Sequence, residues 1–522
     1  MALAEPIREL IARVGAVEDT VRAIPLGEQI LEVNKIIAKA ATFYEKVRYL
    51  IDYREEHTIR RSAIERIVKR RVFLEQRTQA GNMLLQELVD GQYLEKEQAT
   101  EEAAKDLDGI IWKFLTLINV AGANGSIARS LVSLAATEID ARLSPREYAI
   151  DEAAIEAFYK TLKGRVTVSG KVDEGVNAQL YCACWRSLLS ADNERLSYAL
   201  WILYVPEWRQ QALAESPDLN LEKIAPRLSG IVAQIRSSVD DQLQWQIAPK
   251  MKNESIYFHI IRDIVQHHGT MAEHILNSPE ELDEHTRTFL AKKYEKENER
   301  IQSSGIRAVI YLFLTKMVVA LTVEVPYEYF ILGSLHYFPL AVNALFHPLL
   351  LFGLTRRVGS LDDSNTESIL GGIHGILYEG RARTIRIRNT YTRLTFAFGL
   401  LYLALVIFVF GALIGILELF GFNPISIILF LFFLALVSYF AFRIRYQAQR
   451  WKVVENQGTG ALLASVLAIP VVRTGRWLSR TFSSINVFVI ILDFIIETPF
   501  KRLLNFSNQF LYYLKEKAEE MR

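Results

Sequence analysis

The sequence predicts an all-α protein in two parts: a large helical soluble N-terminal region, then a polytopic α-helical membrane domain. The membrane domain is expected to hold about four transmembrane helices in two hairpins. Three observations carry this. Apolar residues recur at three- and four-residue spacing through most of the first 300 residues, the period of one helix face. Four long apolar runs follow, at about 308–325, 329–354, 396–419 and 424–442. Charge divides at the same place: residues 1–305 hold 39 Lys+Arg and 46 Asp+Glu, a net −7, while residues 306–522 hold 21 and 13, a net +8.

In the soluble part, Leu26, Ile30, Val33, Ile37, Ala40, Tyr44, Val47 and Ile51 mark a long amphipathic helix expected within 26–76. The same rhythm returns at Leu107–Val120, Ile127–Ile139, Ala153–Leu162, Leu221–Ile247 and Ile256–Val265. Between these lie stretches such as LSPRE (143–147) and NSPEE (277–281), with a Ser to cap a helix and Pro at its first position. RVTVSGKV (165–172) alternates like a short strand. The region reads as one helical domain or two, bounded at 1–305. IRRSAIERIVKRR (59–71) is its most basic stretch; it reads as a solvated helix side paired with Glu55, Glu56 and Glu65 rather than a nucleic-acid face, since no aromatic residue is interleaved.

Chemistry-bearing motifs are few. Cys182 and Cys184 form a lone C-x-C, without the second pair of a zinc site, and read as buried structural thiols. His259, Asp263 and His267 fall at i, i+4, i+8 on one helix face and are the one weak metal candidate; His268, His274 and His285 could join them only through the fold. No phosphate-cradling glycine loop and no G-x-S-x-G nucleophile motif is present, and DDSNTE (362–367) lacks the EF-hand spacing, reading as a polar cap on the next helix. No cofactor is called for.

In the membrane part, the third and fourth runs are long enough to span, since about 20 apolar residues cross the hydrocarbon. The expected divisions are a first hairpin (306–355), a basic loop (356–394), a second hairpin (395–443), and interfacial or re-entrant amphipathic segments with a charged tail (444–522). Arg381, Arg383, Arg386 and Arg388 lie in the basic loop, and Arg443, Arg445, Arg450 and Lys452 follow the fourth run. The turns VEVPYE and FGFNP carry no Lys or Arg. The positive-inside rule then expects both termini in the cytoplasm of a bacterial inner membrane. MALAEPIRELIARVG lacks the basic and apolar regions of a signal peptide, so the soluble part is expected to stay where it is made. GALLASVLAIPVV (460–472) is short and interrupted by Pro470; Arg473, Arg476, Arg480 and Trp477 after it suit anionic lipid headgroups. Asp493 and Glu497 form an acidic stripe further on.

Lys316 stands inside the first apolar run, where an ammonium costs about 2.5–3.5 kcal/mol to insert. With the hairpin turn placed at Pro326, Lys316 and His336 are equidistant from it and share a depth. Three readings follow. Lys316, His336, Asn343 and His347, with Glu324 and Glu328 near the mouth, could line a polar cavity; Lys316 could pair with Glu324, Asp493 or Glu497 as a packing device; or Lys316 could snorkel. The functional expectation is a membrane-anchored interaction or scaffold protein whose helical domain binds a protein partner, a second copy or the lipid surface, with anionic lipid at the basic segments. The alternatives are a small transporter or channel subunit working through Lys316 and His336, and a membrane-bound metalloenzyme.

Overall fold

The structure, a computed structural model, describes residues 3–22, 56–70, 80–91, 93–168, 174–210, 221–356, 363–380, 382–387, 395–453 and 459–484. Most of the helix expected within 26–76 lies outside these residues, as do Arg381, Arg388, Asp493 and Glu497. The described chain is predominantly helical and divides into two units. The first comprises Met1–Ala291 and Asp362–Thr390; the second comprises Lys292–Leu361 and Tyr391–Arg522.

The helices that build the first unit are α1 (Glu5–Arg22), α2 (Glu56–Val68), α3 (Gly81–Asp90), α4 (Glu101–Val120), α5 (Gly125–Leu143), α6 (Pro145–Leu162), α7 (Glu174–Leu189), α8 (Asn193–Tyr204), α9 (Leu228–Asp240) and α10 (Lys252–His268). Strand β1 (Val166–Val168) lies between α6 and α7. The chain then enters α11 (Pro279–Val319), whose first turns belong to this unit. α1 and α10 both pack on α6, and α5 joins α2, α4 and α8. Large side chains close the core: Phe114, Phe158, Trp185, Trp201, Trp208 and Phe258 are fully buried.

Capping sets several starts. Thr100 accepts a hydrogen bond from the Ala103 amide (3.2 Å) at the head of α4, and Asp192 accepts one from the Arg195 amide (3.0 Å) at the head of α8. Asp192 also binds Arg61 of α2, and Arg60 reaches Asp140 on α5 (2.6 Å). The basic stretch is therefore tied across helices to α5 and α8, and Arg61 is buried. Partners distant in sequence, Asp140 and Asp192, thus hold Arg60 and Arg61, because helix packing brings them close. Burial disfavours the Asp192 carboxylate, but the Arg61 hydrogen bond and charge outweigh it and hold its pKa below the ordinary value. The two thiols are buried and free; burial pushes Cys182 up to about 12 and Cys184 well above its ordinary value, so both are inert.

Of the segment 356–394, expected as a basic loop, residues Asp362–Thr390 instead belong to the first unit. They form α13 (Asp363–Leu377) and β2 (Ile385–Ile387). β2 pairs in parallel with β1, Val166 opposite Ile385 and Val168 opposite Ile387. Arg165 donates to the carbonyls of Gly380 (2.6 Å) and Ala382 (2.8 Å), and the Ala4 amide donates to Leu377 O (2.8 Å). The apolar residues Ile369, Ile373, Ile385 and Ile387 are buried, which is the physical reason this segment folds although its arginines suggested a solvated loop. α13 meets α10 through Gly372, where any Cβ would lie 2.1 Å from the Tyr257 ring.

Three helices in the second unit are long and apolar enough to cross a membrane: residues Tyr337–Leu354 of α12 (Tyr337–Arg356), Phe398–Leu419 of α14 (Thr395–Leu419) and Pro424–Ile444 of α15 (Pro424–Ala448). The first of the four expected runs differs. It is the end of α11, and it continues helically through two π turns, Ala320–Glu324 and Glu328–Leu332, with Pro326 between them. The reversal comes at Gly333, whose φ of 67° is the left-handed value glycine tolerates. The expected turn at Pro326 is thus corrected by seven residues: the widened π turns re-space the backbone around the missing proline N–H. The last described helix, α16 (Thr459–Ser484), runs through Pro470, which does not end it. It packs along α15 with Gly475 so close that a Cβ there would lie 1.9 Å from Ala435 O. Arg473 stacks on Tyr402 of α14 at 4.8 Å, and Arg476 and Trp477 are exposed.

Gly372→Ala is expected to destabilise the first unit by about 1–3 kcal/mol through overpacking against Tyr257. Thermal unfolding of the full-length protein in detergent checks this, and adding Tyr257→Val should restore most of the loss.

Candidate functional site

The second unit is layered by polar content. α11 and α12 run antiparallel while α15 runs alongside α12 in the same direction, so residues meet in tiers. One tier is apolar: Leu351, Val437 and Ala441 cluster, with Val309 packed against them. The next tiers are polar. They contain four of the five ionisable groups of the predicted intramembrane site, Lys316, Glu324, Glu328 and His347, all buried.

Lys316 is 2 % exposed. Its Nζ meets His347 Nδ1, and its charge faces the rings of Phe433 (5.0 Å) and Phe430 (5.7 Å). His347 Nε2 lies 2.9 Å from Phe430 O. A carbonyl only accepts, so Nε2 carries the hydrogen and Nδ1 presents its lone pair to the ammonium. The imidazole is neutral and oriented from both sides.

One helical turn before His347 on the same face, Asn343 is also fully buried. Its Nδ2 donates to Glu324 Oε1 at 2.7 Å and approaches Ser426 O at 3.4 Å. The Ser426 hydroxyl donates to the same carboxylate oxygen. Glu324 sits at the end of the first π turn, Ser426 in the first turn of α15. The third tier lies at the hairpin tips. Glu328 Oε1 accepts from Asn423 Nδ2 (2.7 Å) and Oε2 from the His336 backbone amide (2.8 Å). Asn423 also caps α15, accepting from the Ser426 amide at 2.8 Å, with Pro424 at the first helical position. A buried carboxylate needs such donors, because desolvation costs several kcal/mol per ion.

Five of the six residues predicted from the sequence therefore meet as a hydrogen-bonded seam: Lys316, Glu324, Glu328, Asn343 and His347. The His336 side chain does not join Lys316. It is 47 % exposed, with Nδ1 3.9 Å from Glu328 Oε2. The displaced turn explains this: with the reversal at Gly333, the residue opposite Lys316 is His347. Lys316 contacts the imidazole directly, and Glu324 is bound by Asn343 and Ser426 rather than by the ammonium. Asn423 and Ser426 were not anticipated; the Asn-Pro that opens the fourth run was the available signal, since asparagine before a helical proline is a cap.

The histidine cluster of the first unit does not gather a metal. Among the described residues no group of three His, Cys, Asp or Glu side chains could hold one. His267 pairs with Asp263 on its own helix, His268 meets His285 edge-on at 4.6 Å, and His374 Nε2 lies 2.8 Å from Asp283. Helix spacing alone brought His259, Asp263 and His267 to one side without a second element supplying ligands. The chain matches no protein-family model, no curated protein and no solved structure.

His347→Leu, which leaves the Lys316 ammonium without its acceptor, is expected to destabilise the protein by about 3–5 kcal/mol. The double variant Lys316→Met, His347→Leu should recover most of that loss, since an apolar pair replaces a buried polar one. Thermal midpoints of the full-length protein in detergent decide it.

Proposed function

We propose that this chain is a membrane-anchored interaction protein: its first unit binds a protein partner or a second copy, and its second unit holds it in the bilayer. One observation carries the reading. The first unit is closed by the segment that follows α12, so residues 1–291 and 362–390 fold together. A folded unit lies on one side of a membrane. The chain between 292 and 361 must then leave and return on that side, crossing an even number of times.

Parity assigns a crossing to the stretch around Lys316, paired with α12, and makes α14 and α15 the second hairpin. The basic residues support a cytoplasmic first unit. Arg443 lies near the C-terminal end of α15, while the turns around Gly333 and Gly421 carry no Lys or Arg. Arg473, Arg476 and Trp477 of α16 suit the anionic headgroups of a bacterial inner membrane. The anchor is interleaved with the helical unit along the chain, so the helical unit is joined to it at both ends of the first hairpin.

The partner-facing surface we favour is α4, which leaves Trp112 and Val120 exposed eight residues apart on one face. The polar seam is, on this reading, the fastening of the Lys316 stretch to α12 and α15: its groups bond mainly to one another. A second reading, a transporter subunit, is favoured by the ionisable groups being strung from the hairpin tip to Lys316.

A photoreactive residue at position 112 of the full-length protein, activated in native membranes, is expected to give a discrete adduct with a protein partner or a second copy. Lipid adducts alone, or none, together with solute or proton flux in proteoliposomes, would move the assignment to transport.

A further inference from the structure

The hydrogen-bond inventory of the middle tier does not close with Glu324 as an anion. Asn343 is fully buried, and among the described residues its Oδ1 has no hydrogen-bond partner. The other end of the same amide, Nδ2, is 2.7 Å from Glu324 Oε1. Oδ1 shares the amide carbon with Nδ2, so an acceptor without a donor lies on the same planar group that binds the carboxyl. An ionised carboxylate only accepts and cannot help; a protonated one gains an O–H donor. A buried amide oxygen left unpaired costs about 1–3 kcal/mol. Turning the amide over would set its oxygen against Oε1, and that contact too needs a proton.

Charge points the same way. The seam buries Lys316, Glu324 and Glu328, one ammonium and two carboxyls, beside a neutral His347. With both carboxyls ionised the buried sum is −1; with one protonated it is zero. Glu328 accepts from an amide N–H and a side-chain amide, both donors to an anion. Glu324 is the carboxyl with an unfilled acceptor beside it. An alkali ion fits less well: the Ser426 hydroxyl and Asn343 Nδ2 both turn hydrogens, not lone pairs, toward Glu324.

We propose that Glu324 is a proton-binding site at membrane depth: its Oε2 takes up a proton and donates to Asn343 Oδ1, while Asn343 Nδ2 donates to Oε1. The acid and the amide then form a ring closed by two hydrogen bonds. Binding forms one O–H bond and neutralises one carboxylate; release returns the proton and the negative charge. The charged and titratable groups facing the site are Lys316 from α11, His347 from α12 and Glu328 four residues on; α15 contributes the uncharged Asn423 and Ser426. His336, half exposed and next to Glu328, marks the end of the seam that meets water. This goes beyond anchoring: it makes the fastening of the hairpins sensitive to the proton.

The test is infrared difference spectroscopy on the full-length protein in liposomes across a pH titration, with thermal stability measured in parallel. The expected result is a protonated-carboxyl stretching band that shifts on deuteration, disappears in Glu324→Gln and survives in Glu328→Gln. Glutamine reproduces the ring with its own amide, so Glu324→Gln should fold with wild-type stability and lose the pH dependence of that stability. Absence of the band, its persistence in Glu324→Gln, or failure of that variant to fold would each overturn the proposal.

Discussion

An ammonium and two carboxyls buried among apolar helices impose the condition that the second unit is built to meet. Burial takes them out of water, so each must find its donors and acceptors in protein. The solution is tiered. His347 takes the ammonium and is itself held by Phe430 O. Asn343 and Ser426 serve Glu324, and Asn423 with the His336 amide serves Glu328. Every partner comes from a different turn or helix. The polar groups therefore fix the register of α11 against α12 and of α12 against α15, which apolar packing alone would leave free to slide.

The same register depends on irregular backbone. Two π turns around Pro326 carry Glu324 and Glu328 to buried positions, and the left-handed Gly333 delays the reversal until Lys316 faces His347. π turns are rare and often found where function needs a side chain re-aimed. Here their product is the placement of two carboxyls. The interleaving of the units adds a second constraint. Because α13 and β2 finish the first unit, the first hairpin is an insertion within a folded domain rather than a tail after it.

Much of this was legible in the sequence, for physical reasons. Ionisable residues stand out against apolar runs, so Lys316, Glu324, Glu328, Asn343 and His347 were visible before any fold. Helical periodicity marked most of the first unit. What failed was geometry that sequence spacing does not encode. Pro326 looked like the turn because proline usually ends a helix, and that error paired Lys316 with His336. The arginines of 356–394 suggested a loop, while Ile385 and Ile387, two alternate residues, were too short a signal to announce a buried strand. His259, Asp263 and His267 shared a face, but a metal needs ligands from elsewhere, and no other helix supplies them among the described residues.

On the proposed topology the stretch around Lys316 crosses the membrane and is sealed from water by the seam. This is tested most directly by cysteine accessibility. With Cys182 and Cys184 replaced, single cysteines at positions 316, 334 and 112 are treated with membrane-impermeant maleimide from each side of sealed vesicles. Labelling is expected at position 334 from one side only, at position 112 from the other side only, and at position 316 from neither. Labelling of 334 and 112 from the same side, or of 316 from either, would contradict that topology.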